Sequence, residues 1–166
     1  MPAKKVTRLA LFTTLSLAIY GVESAIPTLL PIPGFKLGLA NIVTLILLPQ
    51  FGPADTILVL LARILLSAVL FGQPISLLYS IAGGFFSLLC MFLSVRILKD
   101  RFLFLSGALG GLTHNLGQLC IAYLLTAVPG VLVYLPHLVL AGILTGLFTG
   151  FCAMFSLRYL KPYFRR

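Results

Sequence analysis

The sequence predicts an all-α membrane protein, a compact bundle of six transmembrane helices of which the second is short. Apolar residues make up 60% of the 166 positions and charged residues only 9%, whereas a soluble domain carries roughly 25% charged residues. Most charged residues stand at the ends of apolar runs rather than inside them. We therefore expect a single transmembrane domain over residues 1–166, embedded in the lipid bilayer.

Six apolar stretches, bounded by Pro, Gly or charged residues, are the expected helices. The first begins like a signal peptide, but Glu23 stands where cleavage after Ala25 would need a small residue, so a retained helix is expected. The second stretch is too short for a regular crossing of about 20 residues, so it is predicted as a short or tilted span, or a half-crossing segment. The predicted helices cover residues 8–30, 37–48, 54–71, 75–98, 102–128 and 135–157.

The net charge of +9 comes from basic residues grouped in three places. Six crossings place all three groups on one side, which the positive-inside rule identifies as cytoplasmic. The N-terminal flank 1–8 and the tail 158–166 are then both cytoplasmic. Such flanking charge is typical of contacts with anionic lipid, so no nucleic-acid partner is expected. The groups are Lys4, Lys5 and Arg8; Arg96, Lys99 and Arg101; and Arg158, Lys161, Arg165 and Arg166.

A few polar side chains fall inside the apolar runs. Arg63 lies in the middle of the third predicted helix, where an arginine costs about 2.5–3.5 kcal/mol, so it is expected to face a cavity or a partner. A structural role, with Arg63 paired to Glu23 or capping backbone carbonyls, is the alternative. On the fifth helix, His114, Asn115 and Gln118 lie close enough to form one polar wall of a pocket.

The stretch IPGFKLGLANIVTL places Lys36 at the predicted start of the second helix. A helix N-terminus offers unpaired N–H groups and partial positive charge, and Gly34 and Gly38 allow a ligand to approach the backbone. Asn41 and Thr44 follow one and two turns deeper. The stretch thus outlines an anion site, although a snorkelling lysine beside a proline-bounded turn would explain it as well.

Together these residues predict a cavity with net positive charge. Lys36 and Arg63 are the only cations in the apolar half of the predicted topology and Glu23 is the only acid there, while the remaining lining is apolar. The expected ligand is a small anion with an apolar body. The predicted substrate-binding residues are Lys36, Asn41, Thr44, Arg63, His114, Asn115, Gln118 and Glu23.

Two helices carry stripes of small residues at helical spacing. One is Gly142, Gly146 and Gly150, and the other is Ala10, Thr14 and Ala18. Small residues allow close approach of helices in lipid. One stripe would serve internal packing, and two suggest that at least one contacts another protein.

Several segments resemble a bacterial membrane family known as the Gx transporter family or heptaprenyl diphosphate synthase component I. The resemblance covers about residues 9–157, and KLGLAN and HNLGQL are its specific parts. The segments, in order, are PGFKLGLANIVTL, ARILLSAVLFG, SLLYSIAGGFFSLLCM, GALGGLTHNLGQLCIAYLL and YLPHLVLAGILTGLFTG.

This family is similar to the substrate-binding S-components of energy-coupling factor transporters of the bacterial cytoplasmic membrane. The resemblance implies six helices, capture of a small nutrient from outside, and docking through the first helix onto a transmembrane coupling subunit with two ATPases. It assigns the docking face to Ala10, Thr14 and Ala18, where Thr14 replaces the alanine that S-components favour. The family's link to menaquinone and prenyl metabolism implies an isoprenoid or quinone precursor as ligand.

An enzyme or enzyme subunit, as the synthase name implies, is the alternative. Prenyl elongation needs magnesium held by clustered carboxylates, but the acids Glu23, Asp55 and Asp100 are isolated in sequence. A GxxxxGK[ST] phosphate loop is absent as well, so ATP would be used by partners. Cys90, Cys120 and Cys152 are unclustered and predict neither a disulfide framework nor a metal site. We therefore expect no catalysis and no cofactor in this chain, with a non-catalytic synthase subunit or a solitary carrier as remaining alternatives.

Overall fold

The computed structural model describes residues 2–26, 36–71, 74–98 and 102–164, with side chains up to residue 160. Within these ranges all regular structure is helical. A 3-10 helix, Pro129–Tyr134, precedes the last α-helix. The α-helices are α1 (Ala3–Ala25), α2 (Asn41–Phe51), α3 (Pro53–Phe71), α4 (Pro74–Leu98), α5 (Leu103–Thr126) and α6 (Leu135–Phe164).

The lengths and hydropathy of these helices identify a multi-pass membrane protein. Helices α1, α3 and α4 and the segment Pro129–Leu160 are each long and apolar enough to cross a bilayer, and α2 is a shorter apolar helix. Helix α5 is as long as these but carries the polar residues noted above. The predicted all-helical membrane bundle with a short second helix is confirmed. The cytoplasmic placement of both termini stays a prediction, and Lys99, Arg101, Arg165 and Arg166 lie outside the described residues.

Three helices, α1, α2 and α6, have boundaries that differ from the prediction by more than two residues. Helix α1 begins at Ala3 rather than at residue 8 and ends at Ala25, while residues 27–35 lie outside the described part of the chain. Helix α2 begins at Asn41, four residues later than predicted, because Gly38 adopts a φ of +82° that a helix does not contain. Helix α6 continues to Phe164, beyond the predicted end at residue 157.

Helix α2 lies at the centre of the bundle. Within the described residues it contacts each of the other five α-helices, and Val43, Leu45 and Leu47 are almost fully buried. A helix surrounded by protein needs no polar face, which explains why its sequence is apolar all round. Its position places the residues before it, 36–40, against several helices at once.

The second segment crosses most of the bundle although α2 itself is short. At one end of α1, Lys5 Nζ pairs with Asp55 Oδ2 at 2.7 Å; at the other end, Glu23 contacts Gly38 and Leu39. The 18 residues from Lys5 to Glu23 correspond to about 27 Å of helix, close to the hydrocarbon thickness of about 30 Å. The chain from residue 38 to residue 55 thus connects the two ends of α1, and the full or half crossing of the membrane by this segment stays a prediction.

Helices α5 and α6 pack through their glycines. A Cβ atom on Gly111 would lie 2.2 Å from the carbonyl oxygen of Gly142, and one on Gly146 would lie 2.3 Å from that of Gly107. Only glycine permits this separation of the two backbones. The stripe on α6 therefore serves packing inside the chain, whereas a contact between the stripe on α1 and another protein stays a prediction.

Candidate functional site

Buried polar side chains from α1, α2, α3, α5 and residue 36 meet in one half of the bundle. We call this group the polar cluster. Each member is at most 8% exposed, which is costly in a membrane unless the group has partners. The polar cluster consists of Tyr20, Glu23, Lys36, Asn41, Arg63, His114 and Gln118.

The carboxylate of Glu23 holds the chain ahead of α2. Its Oε1 accepts a hydrogen bond from the backbone N–H of Gly38 at 2.7 Å, and its Oε2 accepts one from that of Leu39 at 3.1 Å. The backbone N–H groups that the sequence offered to an anionic ligand are thus bound by a side chain of the same protein. Gly34, the other glycine predicted at this site, lies outside the described residues.

Lys36 points into the bundle rather than towards the surface. Its Nζ donates a hydrogen bond to Ser24 Oγ and lies 4.4 Å from the centre of the Tyr20 ring. Its backbone N–H donates to Gln118 Oε1 at 3.3 Å. A lysine that is only 8% exposed is not the snorkelling residue that was the alternative interpretation of this stretch.

Arg63 is buried and has no direct charge partner among the described residues. Its guanidinium carbon lies 5.8 Å from the centre of the Tyr20 ring, and its side chain is 4% exposed. The direct ion pair between Arg63 and Glu23, which was an alternative from the sequence, is not formed: no guanidinium nitrogen lies within 4 Å of the carboxylate oxygens. The two charges interact at longer range. Among the described residues, Arg63 Nε and Asn41 Nδ2 are buried donors without an acceptor.

The polar residues of α5 point in two directions. His114 Nε2 and Gln118 Nε2 are 2.9 Å apart, and the imidazole lies against Gly38 and Gly83. Asn115 instead donates through Nδ2 to the carbonyl of Leu138 on α6 at 2.8 Å. The structure therefore brings His114 and Gln118 into the polar cluster and places Asn115 at the α5–α6 interface.

Thr44, the remaining predicted site residue, is buried on α2. It is 5% exposed, and in the described part of the chain no hydrogen bond connects its side chain to the polar cluster. Thr44 thus lies one turn beyond Asn41 without contributing a polar contact to this group.

The sequence of the chain matches the model of a known family. The family model described as heptaprenyl diphosphate synthase component I matches residues 12–156. The chain belongs to this family. No curated protein and no solved structure matches the sequence. The region matched to the synthase component I family contains every member of the polar cluster.

Three residues at the site were not predicted from the sequence: Tyr20, Ser24 and Ser76. The centre of the Tyr20 ring lies 4.4 Å from Lys36 Nζ and 5.8 Å from the guanidinium carbon of Arg63, and the Tyr20 hydroxyl group forms a hydrogen bond with Ser76 Oγ on α4 at 2.9 Å. Ser24 binds the Lys36 ammonium. The sequence contained a signal for this, because Ser16, Tyr20 and Glu23 recur at helical spacing and form a buried polar stripe on α1.

The predicted docking stripe lies on the outer face of α1. Ala10, Thr14 and Ala18 are all exposed, and Thr14 Oγ1 donates to the carbonyl of Ala10 at 3.1 Å. This bond satisfies the hydroxyl within its own helix, so the face is compatible with lipid or with another helix.

Proposed function

We propose that this chain is the membrane-embedded substrate-binding component of an importer of the energy-coupling factor type, and that it binds a small anionic amphiphile. The observation that carries the proposal is the donor excess of the polar cluster. Lys36 and Arg63 are two buried cations against one carboxylate, and Arg63 Nε and Asn41 Nδ2 lack acceptors among the described residues. A bound oxyanion would supply both the missing charge and the missing acceptors.

Apolar side chains next to Lys36 would contact the hydrocarbon part of the ligand. Leu37 follows Lys36 directly in sequence and packs against Tyr79, Leu119 and Leu138, which form a second buried apolar cluster. An anionic group held near Lys36 would therefore place an attached hydrocarbon chain beside apolar side chains. This arrangement supports an isoprenoid or quinone precursor as the class of ligand.

Transport would require partners that supply energy. The proposed partners are a transmembrane coupling subunit and two ATPases, which would hydrolyse ATP outside this chain. The exposed stripe of Ala10, Thr14 and Ala18 supports docking through α1, because small residues permit close helix contact in lipid. The orientation with cytoplasmic termini belongs to this proposal.

Replacing Lys36 with alanine tests the ligand site. We expect binding of geranyl diphosphate, used as a probe anion with an isoprenoid body, to weaken by tenfold or more, which corresponds to about 1.4 kcal/mol. Equilibrium dialysis on protein in lipid nanodiscs measures it. Arg96→Ala is the matched control, since this exposed cation stacks on Phe92 outside the polar cluster. Equal affinities for the two variants would contradict the proposal.

Replacing Ala18 with leucine tests the docking face. The larger side chain would separate α1 from a coupling subunit, so we expect the yield of a co-purified complex with coupling subunit and ATPases to fall at least tenfold. Cys120→Leu adds bulk at an exposed position of α5 and should leave the yield unchanged. A complex that tolerates Ala18→Leu would rule out docking through this stripe.

The family description favours a second candidate, a non-catalytic membrane subunit associated with heptaprenyl diphosphate synthase in menaquinone biosynthesis. The two acids in the described residues support a role without magnesium chemistry, since Glu23 binds backbone amides and Asp55 pairs with Lys5. Co-purification separates the candidates. A stable complex with a soluble prenyl synthase, and none with a coupling module, would favour the second.

A further inference from the structure

We infer that Glu23 is an internal competitor of the ligand: its carboxylate occupies the pair of backbone amides that the oxyanion of the ligand takes when it binds. This inference rests on the proposed function and specifies how the same site is occupied in turn by Glu23 and by the ligand. It also defines the ligand group, which must present two oxygens to two consecutive N–H groups, as a carboxylate or a phosphate does.

The geometry of Glu23 is that of a bound anion. Each of its two oxygens accepts one hydrogen bond, from the N–H groups of Gly38 and Leu39 in succession. The two consecutive N–H groups point to the same side, since both bind one carboxylate, and Gly38 between them adopts a φ of +82°, which glycine populates readily. Backbone concavities of this kind bind anions generally.

The surroundings offer a free anion more than they offer Glu23. The unpartnered donors Arg63 Nε and Asn41 Nδ2 are each at least 96% buried. Asn41 Nδ2 lies 3.0 Å from the position that a Cβ on Gly38 would take, so it is adjacent to the amide pair. Glu23 is tethered to α1 and leaves both donors unused, whereas an untethered oxyanion could accept from them and from the amides together.

Neutralising Glu23 should therefore tighten binding, the opposite of what a ligand-holding residue would show. Glutamine carries no charge, so Glu23→Gln removes the internal anion. Its NH₂ group also faces one of the two backbone N–H groups, so one of the two hydrogen bonds is lost. We expect affinity for geranyl diphosphate, measured in nanodiscs, to rise by tenfold or more. Asp55→Asn is the control, since it changes the net charge equally but at the far end of α1.

A measurement on the wild-type protein does not depend on the folding of a variant. Glu23 is the only glutamate in the sequence, so carbon-13 labelling of glutamate carboxylates gives one signal. Geranyl diphosphate should shift its infrared carboxylate band, because the two backbone hydrogen bonds are released. Geraniol, which has no anionic group, should leave the band in place.

The outcomes separate this inference from the proposed function. If Glu23→Gln binds the probe as wild type or more weakly, or if the labelled band does not move on binding, Glu23 is a structural clamp and the inference is wrong. Loss of binding in Lys36→Ala would still support the proposed function in that case. If wild-type protein does not bind the probe at all, the proposed function fails and takes this inference with it.

Discussion

Replacing Arg63 with methionine should abolish most binding of geranyl diphosphate without lowering the stability of the protein. Methionine keeps most of the side-chain volume and removes the charge. Among the described residues, Arg63 Nε has no acceptor and no carboxylate lies within 4 Å of the guanidinium. The favourable interactions of the charge in the free protein are therefore the longer-range attraction to Glu23 and the approach to the Tyr20 ring. Burial of the charge in the bilayer costs about 2.5–3.5 kcal/mol, part of which the substitution recovers.

Two measurements check this expectation. Dialysis in nanodiscs should show at least a tenfold loss of affinity, and thermal unfolding followed by circular dichroism should give an unchanged or higher midpoint. Arg96→Met, on the exposed face of α4, should alter neither quantity by a comparable amount. A variant that unfolds more easily yet binds as wild type would show that Arg63 is a structural residue.

Replacing Gly111 with alanine should strongly destabilise the bundle. The new Cβ would lie 2.2 Å from the carbonyl oxygen of Gly142 and 2.9 Å from the Cα of Gly146. Backbone atoms cannot move aside as a flexible side chain does, so α5 and α6 must separate. We expect a loss of about 3 kcal/mol, at the upper end of overpacking effects.

The matched control is Gly130→Ala, in the 3-10 helix. A Cβ there meets only Val128 Cγ1 at 3.6 Å, an ordinary contact, so the thermal midpoint should stay close to that of wild type. The comparison uses unfolding in detergent micelles followed by circular dichroism. Equal midpoints for the two variants would mean that the α5–α6 contact is looser than the structure has it.

The sequence predicts the membrane class and most helices because composition alone decides where the chain can lie. The start of α2 could not be predicted, since Gly38 adopts a positive φ and its N–H group binds the carboxylate of Glu23, which is 15 residues away in sequence. Likewise, a glycine stripe looks the same on a packed face and on an exposed one. Only the fold shows that Gly142 faces α5.

The sequence predicts those site residues whose burial in a membrane would be costly, because they are polar and lie inside apolar runs. Arg63, His114 and Gln118 stand out in an apolar chain; all three are buried, and His114 and Gln118 form a hydrogen bond with each other. Direction was not predictable: Asn115 is next to His114 in sequence but faces α6. Tyr20 could not be predicted as a site residue, because a tyrosine is common in membrane helices. Only the fold shows that its ring lies near both Lys36 and Arg63.

The central claim, that the polar cluster recognises an anion, is tested most directly by comparing two ligands with the same hydrocarbon body. Native mass spectrometry of the wild-type protein, titrated with geranyl diphosphate and with geraniol, measures both affinities under one condition. The account predicts binding of the diphosphate at least tenfold tighter than that of the alcohol. Equal binding of the two, or binding of the alcohol alone, would contradict it.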